Sequence, residues 1–180
     1  MASLGTSNCQ HGALVPQRLT THIQKHSILF ICTANQCRSP MAELLFKDYL
    51  LSNQNDLTDW QVESAGIYAI PDYPATHNAI LAMKELGLDL NSHRSQCVTE
   101  ELIQSFNLIL TMESNHQHRL QQLSPPSAQK VYMLSEMIGI RADVQDPIGS
   151  PLLEYISTAN LIKKYLLQGW NRILQLSDHL

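Results

Sequence analysis

The sequence has few of the features that mark membrane, nucleic-acid-binding or disulfide-stabilised proteins. No apolar run approaches the roughly 20 residues that a helix needs to cross a bilayer. Acidic residues outnumber lysine and arginine, so the net charge of -4 indicates no surface for nucleic acid or an anionic membrane. Four irregularly spaced cysteines are too few for a secreted disulfide framework. We therefore expect a soluble cytoplasmic protein without nucleic-acid or membrane partners.

The length and composition are those of one globular domain. The chain has 180 residues, of which 44% are hydrophobic and 16% charged, which suffices for a core without disulfides or metal. Residues 1–26 are polar and show no helical or strand period, so a flexible N-terminal extension is predicted there. The folded domain is predicted to span residues 27–180.

Short apolar strands alternate with amphipathic helices after residue 27. Ile28–Ile31 is a continuous apolar run, typical of a strand buried on both faces. Further strands are predicted at 60–64, 108–110 and 130–134, helices at 42–50, 79–86, 99–103 and 113–123, a loop at 135–154, and one long C-terminal helix. Because this alternation favours parallel βαβ units, we predict a single α/β domain of three layers, a four-stranded parallel sheet flanked by helices.

The polar loop after the first strand carries the residues of a phosphate-ester chemistry. Cys32 follows the strand, and Arg38 and Ser39 complete a C-x5-R-S pattern in front of a predicted helix. The unpaired amides of a helix N-terminus and the charge of Arg38 favour both a cysteine thiolate and a bound phosphate dianion. In an open parallel sheet, ligands bind beyond the carboxyl ends of the strands, where this loop lies.

Two further loop residues suit this chemistry. Ser39 could hydrogen-bond to Cys32 and stabilise its thiolate when that thiolate leaves a phosphoenzyme. Asn35 tolerates a left-handed backbone conformation, which a loop that turns its amides inward needs.

The loop resembles the signature of the low-molecular-weight protein-tyrosine phosphatases, C-x-G-N-x-C-R-S-P-x-A-E. In this chain the corresponding residues, 32–43, read CTANQCRSPMAE. Four later motifs follow that family in order and spacing: Ser64-Ala65-Gly66, Ser92-His93, Thr111-Met112-Glu113-Ser114-Asn115 and Asp146-Pro147. The resemblance is to the bacterial type and covers residues 27–175. It implies the family's flavodoxin-like winding and makes residues 27–180 the catalytic domain.

By this resemblance Cys32 is the nucleophile, Arg38 binds the phosphoryl group, and Asp146 is the general acid that protonates the leaving group. The resemblance also implies the phosphate-binding residues, which are Thr33, Ala34, Asn35, Gln36, Cys37, Arg38 and Ser39. Asn35, Ser39 and His93 would support the shape of the loop. A reversible Cys32–Cys37 disulfide would protect the nucleophile from over-oxidation. The expected substrate is a phosphorylated protein, no metal or cofactor is needed, and the protein would be a monomer or weak dimer.

Three residues depart from the family pattern. Ala34 stands where the family usually has glycine, which could strain the loop unless the backbone angles are ordinary. Gln36 occupies a variable position at which tyrosine-directed relatives carry an apolar residue and arginine-phosphate-directed relatives carry threonine. Ile148 replaces an aromatic residue that flanks the phosphotyrosine ring in many relatives. Another wall could come from three residues of the 67–75 loop: Tyr68, Ile70 and Tyr73.

The first hypothesis is a protein-tyrosine phosphatase that works through a cysteinyl-phosphate intermediate. The second is a protein-arginine phosphatase, because residues 64–69 and 146–150 resemble that bacterial branch. A thiol-linked arsenate reductase would need a cysteine at the end of the third strand, where Met112 stands. A non-catalytic phosphate-binding module would be indicated by loss of the cysteine, the arginine or the acid, and all three are present.

Overall fold

A computed structural model describes residues 25–53, 55 and 57–178. Within these residues the chain forms one sheet of four strands: β1 (His26–Cys32), β2 (Trp60–Gly66), β3 (Leu108–Thr111) and β4 (Val131–Met133). The strand order is β2-β1-β3-β4 and every pairing is parallel. This sheet confirms the predicted α/β fold.

Six α-helices occur in the described part of the chain. They are α1 (Arg38–Ser52), α2 (His77–Glu85), α3 (Glu100–Gln104), α4 (Ser114–Leu123), α5 (Leu152–Gln168) and α6 (Trp170–Ser177). Short 3-10 helices occur at Leu57–Asp59, Pro125–Lys130 and Leu134–Ile138. None of the helices described here is both long enough and apolar enough to span a membrane.

Successive residues of β1 face the two helical layers. Ile28 and Phe30 belong to a buried cluster with residues of α1, α2, α5 and α6. Leu29 and Ile31 pack in a second cluster with residues of α3 and α4. All four side chains are fully buried, and burying one such side chain stabilises a fold by about 1.5–3 kcal/mol. The continuous apolar run in the sequence therefore reflects a central strand covered on both sides.

The first strand starts earlier than predicted. It begins at His26, whose buried ring stacks on Trp60 of the neighbouring strand with ring centroids 4.4 Å apart. The β1–β2 ladder accordingly starts two residues before Ile28, at the pair His26 and Trp60. Most of the predicted flexible extension, residues 1–24, lies outside the described residues.

Two predictions for the C-terminal third were wrong. The single long helix is divided at Gly169 into α5 and α6. Gly169 packs closely against the preceding 3-10 helix, since a Cβ at this position would lie 2.5 Å from the Cβ of Met137. The predicted loop at 135–154 is instead helical at both ends. Its start lies in the 3-10 helix Leu134–Ile138, where the Glu136 carboxylate accepts a bond from the Met133 amide at 2.7 Å, and its end lies within α5.

Candidate active site

The C-x5-R-S loop connects the carboxyl end of β1 to the start of α1 at Arg38. Because β1 lies between β2 and β3, the loop lies between the segments that leave those two strands. The segment after β2 runs from 67 to 76, and the residues after β3 lead into α4. The fold therefore surrounds the loop with groups from distant parts of the chain.

Four carbonyl groups of the loop accept hydrogen bonds from surrounding residues. The donors are the amides of Ile67, Tyr68 and Thr76 and the ring Nε2 of His93; the acceptors are the carbonyls of Cys32, Thr33, Gln36 and Asn35, respectively, at 2.7 to 3.0 Å. These bonds hold the carbonyl groups toward the outside of the loop. The amides of the loop are then the groups available to an anion in front of α1.

Asn35 adopts the left-handed conformation expected from the sequence, with φ 55°. Its side-chain nitrogen Nδ2 donates to Ser39 Oγ at 3.0 Å and to Ser64 Oγ at 2.8 Å. Its side-chain oxygen accepts from the Gln96 amide at 2.9 Å. The side chain is fully buried, so these bonds tie the loop to β2 and to the segment before α3.

The close approach of β2 to the loop requires a glycine at Gly66. A Cβ there would lie 2.7 Å from the Asn35 nitrogen and 2.8 Å from the Ala34 carbonyl carbon. Ala34 itself has no positive φ, since Asn35 and Asp72 are the only non-glycine residues with that feature in the described part of the chain. Alanine in place of the family's glycine at position 34 therefore introduces no left-handed strain.

The Cys32 sulfur lies 3.0 Å from Ser39 Oγ, and both residues are buried. The Ser39 hydroxyl can give its one proton either to this sulfur or to the Ala65 carbonyl, 3.2 Å away. Cys37 is also a free, buried thiol. Burial raises the pKa of Cys37 strongly, and the negative charges of Asp146 and Cys32 raise it further, so Cys37 is a neutral thiol near neutral pH.

Arg38 is 1% exposed and donates hydrogen bonds to two carboxylates. One terminal nitrogen donates to Glu113 and to the Val144 carbonyl at 2.9 Å. The other donates to Thr33 Oγ1 at 3.1 Å and to Asp146 at 2.5 Å. Burial alone would lower the pKa of Arg38, but Glu113, Cys32 and Asp146 outweigh it and the pKa is raised. The guanidinium is therefore a permanent cation at the base of the loop.

A cleft of about 190 Å3 opens above the loop. It is lined by Cys32, Thr33, Ala34, Gln36, Cys37, Arg38, Thr76, Asp146 and Ile148. The cleft brings together the predicted nucleophile, the predicted phosphate-binding arginine and the predicted acid. A larger depression of about 390 Å3 lies near the end of α2, but its lining residues include no thiol and no arginine.

The three residues considered for another wall of the cleft do not line it. Tyr68, Ile70 and Tyr73 are all at least half exposed on the 67–75 loop. Ile148 is 61% exposed and does line the cleft. No group of three or more His, Cys, Asp or Glu side chains among the described residues is arranged to hold a metal ion.

Sequence reasoning assigned no role to three residues that support the site. Glu113 and His116 lie just beyond β3, and Ser64 lies near the end of β2. Ser64 accepts from Asn35 and donates to Glu43 at 2.6 Å. His116 lies 3.1 Å from Thr33 Oγ1. Two signals were available: all three residues lie near the carboxyl ends of predicted strands, on the side of the sheet that carries the loop, and Ser64 and Glu113 stand inside motifs that resemble the family.

Comparisons with known proteins identify the family. A family model described as low molecular weight phosphotyrosine protein phosphatase matches residues 27–175. A protein-arginine-phosphatase of Bacillus subtilis is 37% identical over 142 residues, 78% of this chain and 92% of that protein. An arsenate reductase of Staphylococcus aureus is 34% identical over 139 residues, 77% of this chain and 92% of that protein.

Solved structures give the same result. A low molecular weight protein tyrosine phosphatase from T. tengcongensis has a TM-score of 0.77 at 34% identity, covering 82% of this chain and 99% of the other. The match of the family model over nearly all of the described residues confirms the resemblance found in the sequence. The chain belongs to the low-molecular-weight phosphotyrosine protein phosphatase family.

Proposed function

We propose that this protein hydrolyses phosphotyrosine in proteins through a cysteinyl-phosphate intermediate. Membership of the family makes it a phosphoric monoester hydrolase. The observation that carries the proposal is the shared cleft of Cys32, Arg38 and Asp146, in which Asp146 contacts Arg38 although the two lie 108 positions apart. The proposal uses no metal or cofactor and takes a phosphorylated protein as substrate, in the cytoplasm.

In the first step the Cys32 thiolate attacks the phosphorus and the bond to the leaving oxygen breaks. Arg38 and the loop amides hold the phosphoryl oxygens and the charge that develops on them. Asp146 donates its proton to the leaving oxygen, so a phenol departs instead of a phenolate. Because Asp146 contacts Arg38 at 2.5 Å, the phosphoryl group must take over this bond when it enters.

In the second step water attacks the phosphorus of the cysteinyl phosphate and the P–S bond breaks. The Asp146 carboxylate accepts a proton from this water. Cys32 leaves as a thiolate and receives a hydrogen bond from Ser39, whose Oγ lies 3.0 Å from the sulfur. Inorganic phosphate and the free enzyme are the products.

Replacement of the nucleophile tests this mechanism. Cys32→Ser should abolish hydrolysis of p-nitrophenyl phosphate, because a serine hydroxyl is a far weaker nucleophile than a cysteine thiolate near neutral pH. Cys97→Ser is the matched control, since that thiol lies outside the cleft and should leave the rate unchanged. Hydrolysis by Cys32→Ser at the parent rate would overturn the proposal.

Protein-arginine phosphatase is the second candidate, favoured by the Bacillus subtilis relative of that name. Gln36 and Ile148 line the cleft and are the two residues whose identity leaves the substrate open. We expect phosphotyrosine peptides to be hydrolysed faster than phosphoarginine peptides. Gln36→Ile should increase this preference and Gln36→Thr should reduce it. A parent enzyme that prefers phosphoarginine would make the second candidate correct.

Arsenate reductase activity has support from relatives only. The thiol relay of that class requires a cysteine at the end of β3, where buried Met112 lies. A Cys32–Cys37 disulfide remains part of the proposal as a reversible guard for the nucleophile. Treatment with peroxide should yield this pair, detectable by peptide mass mapping and reversed by a dithiol.

A further inference from the structure

His116 is a buried residue next to the active-site loop that the mechanism above does not use. It lies in the first turn of α4 and is 4% exposed. Its Nε2 is 3.1 Å from Thr33 Oγ1, and Thr33 lines the cleft. The direction of this hydrogen bond determines where the proton of the Thr33 hydroxyl points.

Arg38 restricts that direction. Its terminal nitrogen lies 3.1 Å from Thr33 Oγ1, and a guanidinium can only donate. One lone pair of the threonine oxygen is thus already used. The hydroxyl keeps one proton and one lone pair, and His116 takes either of them.

Two features place the ring proton of His116 on Nε2. The carboxylate Oε1 of Glu113 lies 3.9 Å from Nε2 and attracts a proton there. Nδ1 is buried and has no hydrogen-bond partner among the described residues, so an N–H on that side would be left unpaired. With the proton on Nε2, His116 donates to Thr33, and the hydroxyl proton of Thr33 is free to point into the cleft.

We propose that the Thr33 side-chain hydroxyl donates a hydrogen bond to the phosphoryl group, and that His116 is the positioning residue that orients it. This contact adds to the loop amides and to Arg38. It rests on the proposed function only in requiring that the cleft binds a phosphoryl group. The contact serves the ester, the cysteinyl phosphate and inorganic phosphate alike.

The charges around His116 bear on its pH behaviour. Burial lowers the pKa of His116 below its ordinary value, and Glu113, Arg38, Asp146 and Asp143 are the charged groups that act on it. The neutral ring therefore prevails at neutral pH. Protonation at lower pH adds a proton at Nδ1 and leaves the donor at Nε2 in place. The contribution of Thr33 should accordingly stay constant as His116 titrates.

Inhibition by inorganic phosphate measures the contact without turnover. Thr33→Val should weaken phosphate binding roughly tenfold, as expected for a lost hydrogen bond to a charged group, whereas Thr33→Ser should bind like the parent. His116→Leu should weaken binding to a similar degree, and His116→Gln, which keeps a side-chain amide donor, should recover most of the loss. His118→Leu is the matched control, because this exposed neighbour on α4 does not line the cleft.

A double variant and a spectrum complete the test. In the Thr33→Val background, His116→Leu should have no further effect on phosphate binding, and the 15N spectrum of the parent should show a protonated Nε2 and a bare Nδ1. Full phosphate affinity in Thr33→Val, additive losses, or a proton on Nδ1 would each overturn the inference. Thr33→Val decides the matter even if His116→Leu fails to fold. A parent that binds phosphate but hydrolyses no ester would overturn the proposed function alone.

Discussion

Ser39 contacts the nucleophile and is expected to affect the two chemical steps to different degrees. Its hydroxyl oxygen lies 3.0 Å from the Cys32 sulfur and also accepts from the Asn35 side-chain nitrogen Nδ2 at 3.0 Å. Cys32 is consumed as a nucleophile in the first step and expelled as a thiolate in the second. A hydrogen bond that stabilises the thiolate lowers the barrier to its departure.

Ser39→Ala should therefore slow the second step more than the first. We expect kcat for p-nitrophenyl phosphate to fall roughly tenfold, with accumulation of the cysteinyl phosphate as a burst of p-nitrophenol. Stopped-flow kinetics measures the burst and the later steady rate. Thr76→Ala, at another residue of the cleft wall, should show no burst. A slow first turnover with no burst in Ser39→Ala would contradict this role.

Cys37 should resist alkylation at neutral pH despite its place in the active-site loop. Burial raises its pKa, and the nearby charges of Asp146 and Cys32 add to the effect, so the reactive thiolate is absent near pH 7. Peptide mass mapping after brief iodoacetamide treatment should find Cys32 modified, with protection by inorganic phosphate. Cys97, which is partly exposed, should react regardless of phosphate. Equal modification of Cys37 and Cys32 would argue against a neutral thiol.

The sequence predicted the residues of the loop itself better than the distant residues that hydrogen-bond to them. The left-handed φ of Asn35 follows from its side chain and its place in a tight loop, and the structure has it. Its partners Ser64 and Gln96 are 29 and 61 positions away, and no local pattern encodes such pairs. Glu113 lay inside a motif that matched the family, yet nothing in its spacing indicated that it binds Arg38.

At the scale of elements, the close contact between β2 and the loop depends on Gly66, because glycine has no side chain. Gly66→Ala would place a Cβ 2.7 Å from the Asn35 backbone nitrogen, and backbone cannot move aside as a flexible side chain can. We expect a loss of activity of at least tenfold and a loss of stability of about 2 kcal/mol. Rates for p-nitrophenyl phosphate and urea unfolding curves measure the two effects.

Gly87→Ala is the matched control for this prediction. Gly87 has φ +78° with open space around its Cβ position, so alanine there is strained without a clash. It should cost about 1 kcal/mol of stability and leave the activity unchanged, since Gly87 lies outside the cleft. A Gly66→Ala variant as active as Gly87→Ala would show that the loop tolerates displacement.

Strands and helices were predicted correctly from the sequence where burial or capping produces a recognisable residue pattern. Parallel strands covered on both faces give continuous apolar runs, and Thr99 caps α3 through a bond to the Leu102 amide at 3.1 Å. The break at Gly169 escaped prediction because the apolar period of α5 continues into α6. The close packing of Gly169 against Met137 is a tertiary contact that no local pattern encodes.

At the scale of the whole molecule, buried His116 should make folding sensitive to acid. Burial lowers its pKa in the folded state, whereas in the unfolded chain it titrates near its ordinary value of about 6.5. The unfolded chain thus binds the proton more readily, and the free energy of unfolding should fall as pH drops below about 6.5. One such group contributes a slope of at most about 1.4 kcal/mol per pH unit.

Urea unfolding at pH 7 and pH 5.5 checks this sign. His116→Gln does not titrate, so its stability should decline less than that of the parent over the same interval. Other groups contribute equally to both proteins and cancel in the comparison. Identical declines would mean that His116 binds its proton equally well in both states.

The all-parallel sheet has a consequence for how the molecule acquires its activity. Ile28 pairs with Val62 on one side and with Leu108 on the other, so the ladder joins segments far apart in sequence. Such distant pairings slow folding, because the entropy cost of closing long loops comes before the stabilising contacts form. The proposed active site in addition needs Asp146, which contacts Arg38 from 108 positions later in the chain. A nascent chain on the ribosome would thus stay inactive until Asp146 has emerged, and on refolding from urea the helical signal should return before hydrolysis does.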